Sequence, residues 1–131
     1  GALPMAATHF KLSQIGVVML GVQDLAKSVA FYHDTLGLTV TGEIPGEFAF
    51  LNCGSVTLGL SVPIAKHTGQ GPGATEIVFS VEDVTAAYQA LKGRGVLFTH
   101  EPRVVTGPMW AANFNDPDGH RLSIFGPKAA A

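Results

Sequence analysis

The chain has one cysteine, few charged residues and no long hydrophobic run, and each shortage excludes a class of protein. Cys53, being alone, forms neither an internal disulfide nor a cysteine-based metal site. Charged residues make up only 14% of the chain, and its lysines and arginines are scattered, which argues against binding to nucleic acid or to an anionic membrane surface. No stretch approaches the roughly 18 apolar residues that a membrane-spanning helix needs. The composition predicts a globular protein of a reducing compartment, the cytoplasm.

The length of 131 residues and the hydrophobic content of 47% are typical of one domain with its own core. We expect residues 1–13 to be an N-terminal arm or an expression remnant, residues 14–127 to form the domain, and residues 128–131 to be a tail.

The first half of the domain has the pattern of a strand, a helix and three further strands. The apolar run at 15–22 predicts a strand buried on both faces. Asp24 is predicted to cap a helix with an apolar stripe, and Gly37 to end it. Short strands are predicted to follow at residues 38–43, 47–51 and 56–62.

The second half repeats this order after a segment rich in glycine and proline, residues 63–74, which is predicted to be a linker or mobile loop. The repeat is visible in Val81-Glu82-Asp83-Val84, which matches Val22-Gln23-Asp24-Leu25. A helix capped by Asp83 is predicted, then a break at Glu101-Pro102 and a closing Gly126-Pro127. The strands of this half are predicted at residues 76–81, 96–99, 110–115 and 121–125.

Each half is therefore a βαβββ module, about residues 15–62 and 75–126. One module alone would leave a face of its sheet exposed, so the two modules must share their surfaces. The predicted fold class is α+β, with two tandem βαβββ modules forming a curved eight-stranded sheet around a cup, and the helices outside.

The sequence resembles the vicinal oxygen chelate superfamily, which includes glyoxalases, extradiol dioxygenases, and fosfomycin and bleomycin resistance proteins. The residues that carry the resemblance are Val22-Gln23-Asp24-Leu25, Ser28, Phe31-Tyr32, Leu36-Gly37-Leu38, Phe79-Ser80-Val81-Glu82-Asp83-Val84 and Asp116-Pro117-Asp118-Gly119-His120-Arg121. The resemblance implies a homodimer and, in the enzymatic members, a divalent metal in the cup.

The four metal-binding positions that the resemblance implies are Val17, Gly59, Glu76 and Ser123. Only Glu76 can bind a metal, and one carboxylate does not supply the several donors that a hard divalent ion requires. The histidines fall in the arm, the first helix, the linker, a strand end and a turn: His9, His33, His67, His100 and His120. We therefore expect no metal and no other cofactor.

Strand alternation predicts which side chains face the cup. The face comprises Val17, Met19, Gly59, Ser61, Glu76, Val78, Ser80, Arg121, Ser123 and Phe125. With rim residues included, the predicted ligand-binding set is Met19, Phe48, Ser61, Glu76, Val78, Trp110, Arg121, Ser123 and Phe125.

Several roles remain open within this set. Glu76 is either a general base whose pKa is raised by an apolar cup, a group that holds a ligand, or a rim carboxylate paired with Arg121. Arg121 either anchors an anionic or carbonyl group or bonds a neighbouring strand. Trp110 either stacks on a ligand or packs in the core.

Three functions compete. The leading hypothesis is a metal-free protein that binds a small molecule, similar to bleomycin resistance proteins. The alternative is a metal-free enzyme that uses Glu76 as a general base for proton transfer or isomerisation. A metal-dependent lyase or dioxygenase with rearranged ligands ranks last.

Overall fold

The computed structural model describes residues 12–69 and 72–131, and it confirms an α+β fold of two βαβββ modules. The first module contains strand β1 (Val17–Gly21), helix α1 (Leu25–Val29), which continues as a π-helical segment (Ala30–Thr35), and strands β2 (Thr39–Ile44), β3 (Phe48–Cys53) and β4 (Val56–Ser61). After helix α2 (Val62–Thr68), the second module contains β5 (Ile77–Ser80), α3 (Val84–Gly93), β6 (Phe98–Thr106), β7 (Met109–Asn115) and β8 (Arg121–Pro127).

The eight strands form two four-stranded sheets, ordered β1-β4-β3-β2 and β5-β8-β7-β6. The first strand of each module pairs in parallel with its last, and the other pairs are antiparallel. The registers repeat as the sequence predicts, since Met19 lies opposite Gly59 and Val78 lies opposite Ser123. Strands β1 and β5 are both edge strands and are not hydrogen-bonded to each other.

Both helix caps are confirmed. The side chain of Asp24 accepts a hydrogen bond from the Lys27 amide at 3.1 Å, and that of Asp83 accepts one from the Ala86 amide at 2.8 Å. Gly37 follows the π-helical segment with φ at 85°, a left-handed conformation that favours glycine.

The prediction of a loop at 63–74 is wrong in its first part, because α2 occupies Val62–Thr68. The hydroxyl of Ser61 caps this helix by accepting a hydrogen bond from the Ile64 amide at 3.1 Å. Pro63 lies in the first turn, where its missing N–H costs no intrahelical bond. The serine and proline signal was present in the sequence, but the following glycines obscured it. Residues 70 and 71 of this segment lie outside the described residues.

The predicted break at Glu101-Pro102 is also wrong, since β6 runs through it. Pro102 is tolerated because β6 is an edge strand and its pairing with β7 is irregular between His100 and Arg103. At the end of the chain, β8 continues through Gly126-Pro127 rather than stopping before them.

The prediction that β1 is buried on both faces is wrong for the chain described, because Val17 is 44% exposed. The predicted arm at 1–13, including His9, lies outside the described residues except for positions 12 and 13. Among the helices that the structure describes, none is both long enough and apolar enough to cross a membrane.

One hydrophobic core joins the two modules. It contains alternate residues from both sheets, among them Leu58 and Leu60 of β4 and Leu122 and Ile124 of β8. The rings of Phe31, in the π-helical segment, and Phe114, in β7, are 6.5 Å apart, so the first helix packs against the second sheet. Because strand side chains alternate, the cup-facing residues of both sheets lie on the faces turned away from this core.

The turn at 116–120 fastens the modules together. The buried carboxylate of Asp116 accepts hydrogen bonds from the backbone amides of Asp118 and His120 and, at 2.7 Å, from the hydroxyl of Tyr32. The Asp118 carboxylate accepts hydrogen bonds from the backbone N–H of Gln23 and from the Ser28 hydroxyl. Burial, together with the neighbouring Asp116 charge, raises the pKa of Tyr32, so its hydroxyl remains a donor.

Candidate functional site

Glu76 lies immediately before β5, on the cup-facing side of the second sheet, and three side chains hold its carboxylate. The amide of Asn113 donates to Oε1 at 2.9 Å and the hydroxyl of Ser123 donates to Oε2 at 3.2 Å. The Nε of Arg121 forms an ion pair with Oε1. The structure therefore brings together the predicted residues Glu76, Arg121 and Ser123.

Asn113 connects this carboxylate to a second arginine. Asn113 is 1% exposed, and its Nδ2 donates to the Leu122 carbonyl as well as to Glu76, which leaves its Oδ1 free to accept a hydrogen bond. That oxygen accepts a hydrogen bond from Arg103 Nη2 at 2.8 Å. Arg103 Nη1 also donates to the Ala111 carbonyl at 3.4 Å. The cluster thus contains one carboxylate and two guanidinium groups.

Sequence reasoning missed both Asn113 and Arg103. Asn113 lies opposite Ser123 in the β7–β8 register, so strand alternation extended to β7 would have placed it on the cup face. Arg103 was missed because the predicted strand ended before Glu101-Pro102, whereas β6 continues through Arg103.

One of the open interpretations, a general base whose pKa is raised by the cup, is contradicted because the pKa of Glu76 is lowered. Burial of the carboxylate acts to raise its pKa, but the hydrogen bonds from Arg121, Ser123 and Asn113 and the charge of Arg121 outweigh burial and lower it. A carboxylate held in this way is a weak base, and three of its roughly four lone-pair positions accept hydrogen bonds from protein side chains. Of the open interpretations, pairing with Arg121 is the one that the structure confirms.

A pocket of about 400 Å³ opens on this face, and we call it the second-module pocket. Its walls combine the ionic cluster with apolar side chains that include the predicted residues Val78 and Phe125. The full lining consists of Glu76, Val78, Arg103, Val105, Ala111, Asn113, Arg121, Ser123 and Phe125. All nine residues come from the second module.

On the corresponding face of the first sheet, β1, β3 and β4 contribute six uncharged residues, which we call the first-module face. Its residues follow from the β1–β4 and β3–β4 registers: Val17, Met19, Phe48, Phe50, Thr57 and Gly59. A Cβ atom at Gly59 would overlap the sulfur of Met19, so the Met19 side chain fills the space above Gly59. The rings of Phe48 and Phe50 are nearly parallel, with centroids 6.4 Å apart.

Two predicted ligand-binding residues, Ser61 and Trp110, do not line the second-module pocket. Ser61 is fully buried and its hydroxyl caps α2, so it is not available to a ligand. Trp110 packs against the core, with the ammonium of Lys128 5.0 Å from its ring centroid. Trp110 alternates with the cup-facing Ala111 along β7 and therefore lies on the opposite side of the sheet.

The residues present do not fit the divalent metal that the resemblance implies. Three of the four positions are Val17, Gly59 and Ser123, and the fourth, Glu76, is already paired with Arg121. Across residues 12–69 and 72–131, no group of three or more His, Cys, Asp or Glu side chains is arranged to hold a metal ion. A second copy of the chain does not restore the site, because its first-module face offers no carboxylate or imidazole.

Comparison with known proteins identifies one superfamily. A family model described as the Glyoxalase/Bleomycin resistance protein/Dioxygenase superfamily matches residues 14–124. A glutathione transferase FosA from Serratia marcescens is 32% identical, covering 86% of this chain and 80% of that protein. A probable lactoylglutathione lyase from Vibrio cholerae is 29% identical, covering 86% of this chain and 89% of that protein. An antibiotic binding protein, TnmS3, from a Streptomyces species has a TM-score of 0.74 at 25% identity and covers 91% of this chain and 99% of that one.

Proposed function

Because the chain belongs to the glyoxalase/bleomycin resistance protein/dioxygenase superfamily, we propose that it is a metal-free cytoplasmic protein that binds a small molecule. The ligand occupies the second-module pocket and is covered by the first-module face of another copy. The observation that carries the proposal is that the Glu76 carboxylate is paired with Arg121 and hydrogen-bonded by Asn113 and Ser123. The likeness to an antibiotic binding protein supports a binding role.

The arrangement of the two sheets supports the contribution of a second copy. Both sheets contribute to one shared core, and the second-module pocket is lined by no residue of the first sheet. Strands β1 and β5 each present an unpaired edge, and Val17 and Val78 on these strands are 44% and 49% exposed. In a homodimer, β1 of one copy and β5 of the other can meet and cover these apolar side chains.

The alternative function, proton transfer by Glu76, has less support. A general base works best when its pKa lies near the working pH and when a lone pair can reach the substrate. The lowered pKa of Glu76 and its three hydrogen-bond donors oppose both conditions. If a substrate is found, Glu76→Gln separates the two functions, since loss of turnover with retained binding would support catalysis.

The proposal is tested by measuring metal content and binding on the same sample. Protein purified without chelators is analysed by mass spectrometry for divalent metals, and the neutral fluorophore N-phenyl-1-naphthylamine is titrated before and after dialysis against EDTA. We expect far less than one metal ion per chain and the same dye affinity in both samples. One tightly held divalent ion per chain, or dye binding that EDTA abolishes, would contradict the metal-free site.

A further inference from the structure

The charges in the second-module pocket indicate which ligands it accepts. Two guanidinium groups, from Arg103 and Arg121, and one carboxylate, from Glu76, line it. The residues of the first-module face are uncharged, so the pocket and this face together have an excess of one positive charge. This excess is local, because the whole chain has a formal net charge of −2.

Arg103 supplies the charge that is not compensated. Both of its hydrogen-bond acceptors are neutral, the Asn113 amide oxygen and the Ala111 carbonyl. Among the described residues, no acidic side chain forms an ion pair with Arg103, although Glu101 lies two residues earlier on β6. The hydrogen bond to the buried Asn113 fixes one edge of the guanidinium and leaves other N–H groups for a ligand.

The carboxylate in the pocket is committed to protein partners. A cationic ligand would have to displace Arg121 from Glu76 while approaching the unpaired charge of Arg103. An anionic ligand is favoured instead, because guanidinium N–H groups bind carboxylate, sulfonate or phosphonate oxygens in a bidentate manner.

We infer that the site takes an organic anion joined to an apolar body, with Arg103 as the residue that selects the charge. The apolar body lies against Val78 and Phe125 on one side and against Met19 and the Phe48–Phe50 pair of the second copy on the other. This inference rests on the proposed function, since it names the ligand class of the same site.

Two dyes that differ in one anionic group test the inference. 1-Anilinonaphthalene-8-sulfonate carries a sulfonate on the ring system of the neutral N-phenyl-1-naphthylamine, and both are titrated by fluorescence into the wild type, Arg103→Gln and the control Lys27→Gln. Lys27 is exposed on α1, so the control removes the same charge outside the pocket. We expect Arg103→Gln to weaken binding of the sulfonate by about tenfold. Binding of the neutral dye should weaken far less than binding of the sulfonate, and Lys27→Gln should alter neither affinity.

The possible failures are distinguishable. If both dyes bind and Arg103→Gln alters neither, the anion preference is overturned while the apolar cup stands. If Arg103→Gln weakens both dyes equally with an unchanged circular dichroism spectrum, Arg103 shapes the pocket rather than selecting charge, and the inference is overturned. If neither dye binds the wild type, the proposed cup itself fails. Added NaCl should weaken binding of the sulfonate dye to the wild type more than binding to Arg103→Gln.

Discussion

At the residue scale, the motif that is most prominent in the sequence has a structural role rather than a chemical one. The Asp116-Pro117-Asp118-Gly119 turn places a buried carboxylate where Tyr32 of the other module donates to it at 2.7 Å. His120, in the same turn, lies 2.7 Å from the Gly21 carbonyl at the end of β1. Residues 116–120 of this motif therefore hold the modules together, whereas Arg121, which follows them, lines the second-module pocket.

Tyr32→Phe tests this role. Removing the hydroxyl leaves the buried Asp116 carboxylate with one donor fewer, and we expect the free energy of unfolding to fall by about 1.5–3 kcal/mol, as for a hydrogen bond to a charged group. The change is measured by urea denaturation.

Tyr88→Phe is the matched control, because Tyr88 is half-buried against Phe98 and its hydroxyl makes no hydrogen bond to the described part of the chain. The control should change the unfolding free energy by no more than about 0.5 kcal/mol. Equal effects of the two substitutions would show that the Tyr32–Asp116 bond does not stabilise the protein.

At the element scale, β8 depends on the close approach of its end to the end of β5. A Cβ atom at Gly126 would overlap the carbonyl oxygen of Val81 and lie 3.0 Å from its carbonyl carbon, and neither backbone atom can move aside. The sequence presented Gly126-Pro127 as a strand terminator, but the structure shows that this glycine is needed for packing within the strand.

Gly126→Ala is therefore expected to lower the free energy of unfolding by about 1–3 kcal/mol through overpacking. Gly93→Ala is the control, since a Cβ atom at this last position of α3 meets nothing within 4 Å. Alanine favours helix over glycine, so the control should unfold at an equal or slightly higher temperature. Thermal melts that place both variants at the same midpoint would contradict the close approach.

At the scale of the whole molecule, the proposed cup combines the second-module pocket of one copy with the first-module face of another, and complementation between subunits tests this sharing. Met19→Lys alters the first-module face and Val78→Lys alters the second-module pocket. Each variant homodimer should lose binding of N-phenyl-1-naphthylamine, because every cup then contains a buried, unpaired ammonium group.

In a mixed dimer, one cup contains both substitutions and the other contains neither. Unfolding and refolding an equimolar mixture should therefore restore about one quarter of the wild-type binding sites, if subunits pair at random. Recovery is measured by fluorescence titration, and the dimer by light scattering. A mixture that recovers nothing, or a wild type that is monomeric, would rule out a cup shared between copies.

The sequence by itself determined the duplicated βαβββ order, the caps at Asp24 and Asp83, and the matched positions of Val17 with Glu76 and of Gly59 with Ser123. These features depend on local periodicity, turn chemistry and repetition, which can be recognised in the sequence alone. Only the tertiary structure decided the partners of Glu76 and the places of Arg103, Asn113 and Trp110. These placements depend on the register between strands that are distant in sequence and on the sheet face to which each side chain points. In an irregular edge strand such as β6, the sequence predicts neither.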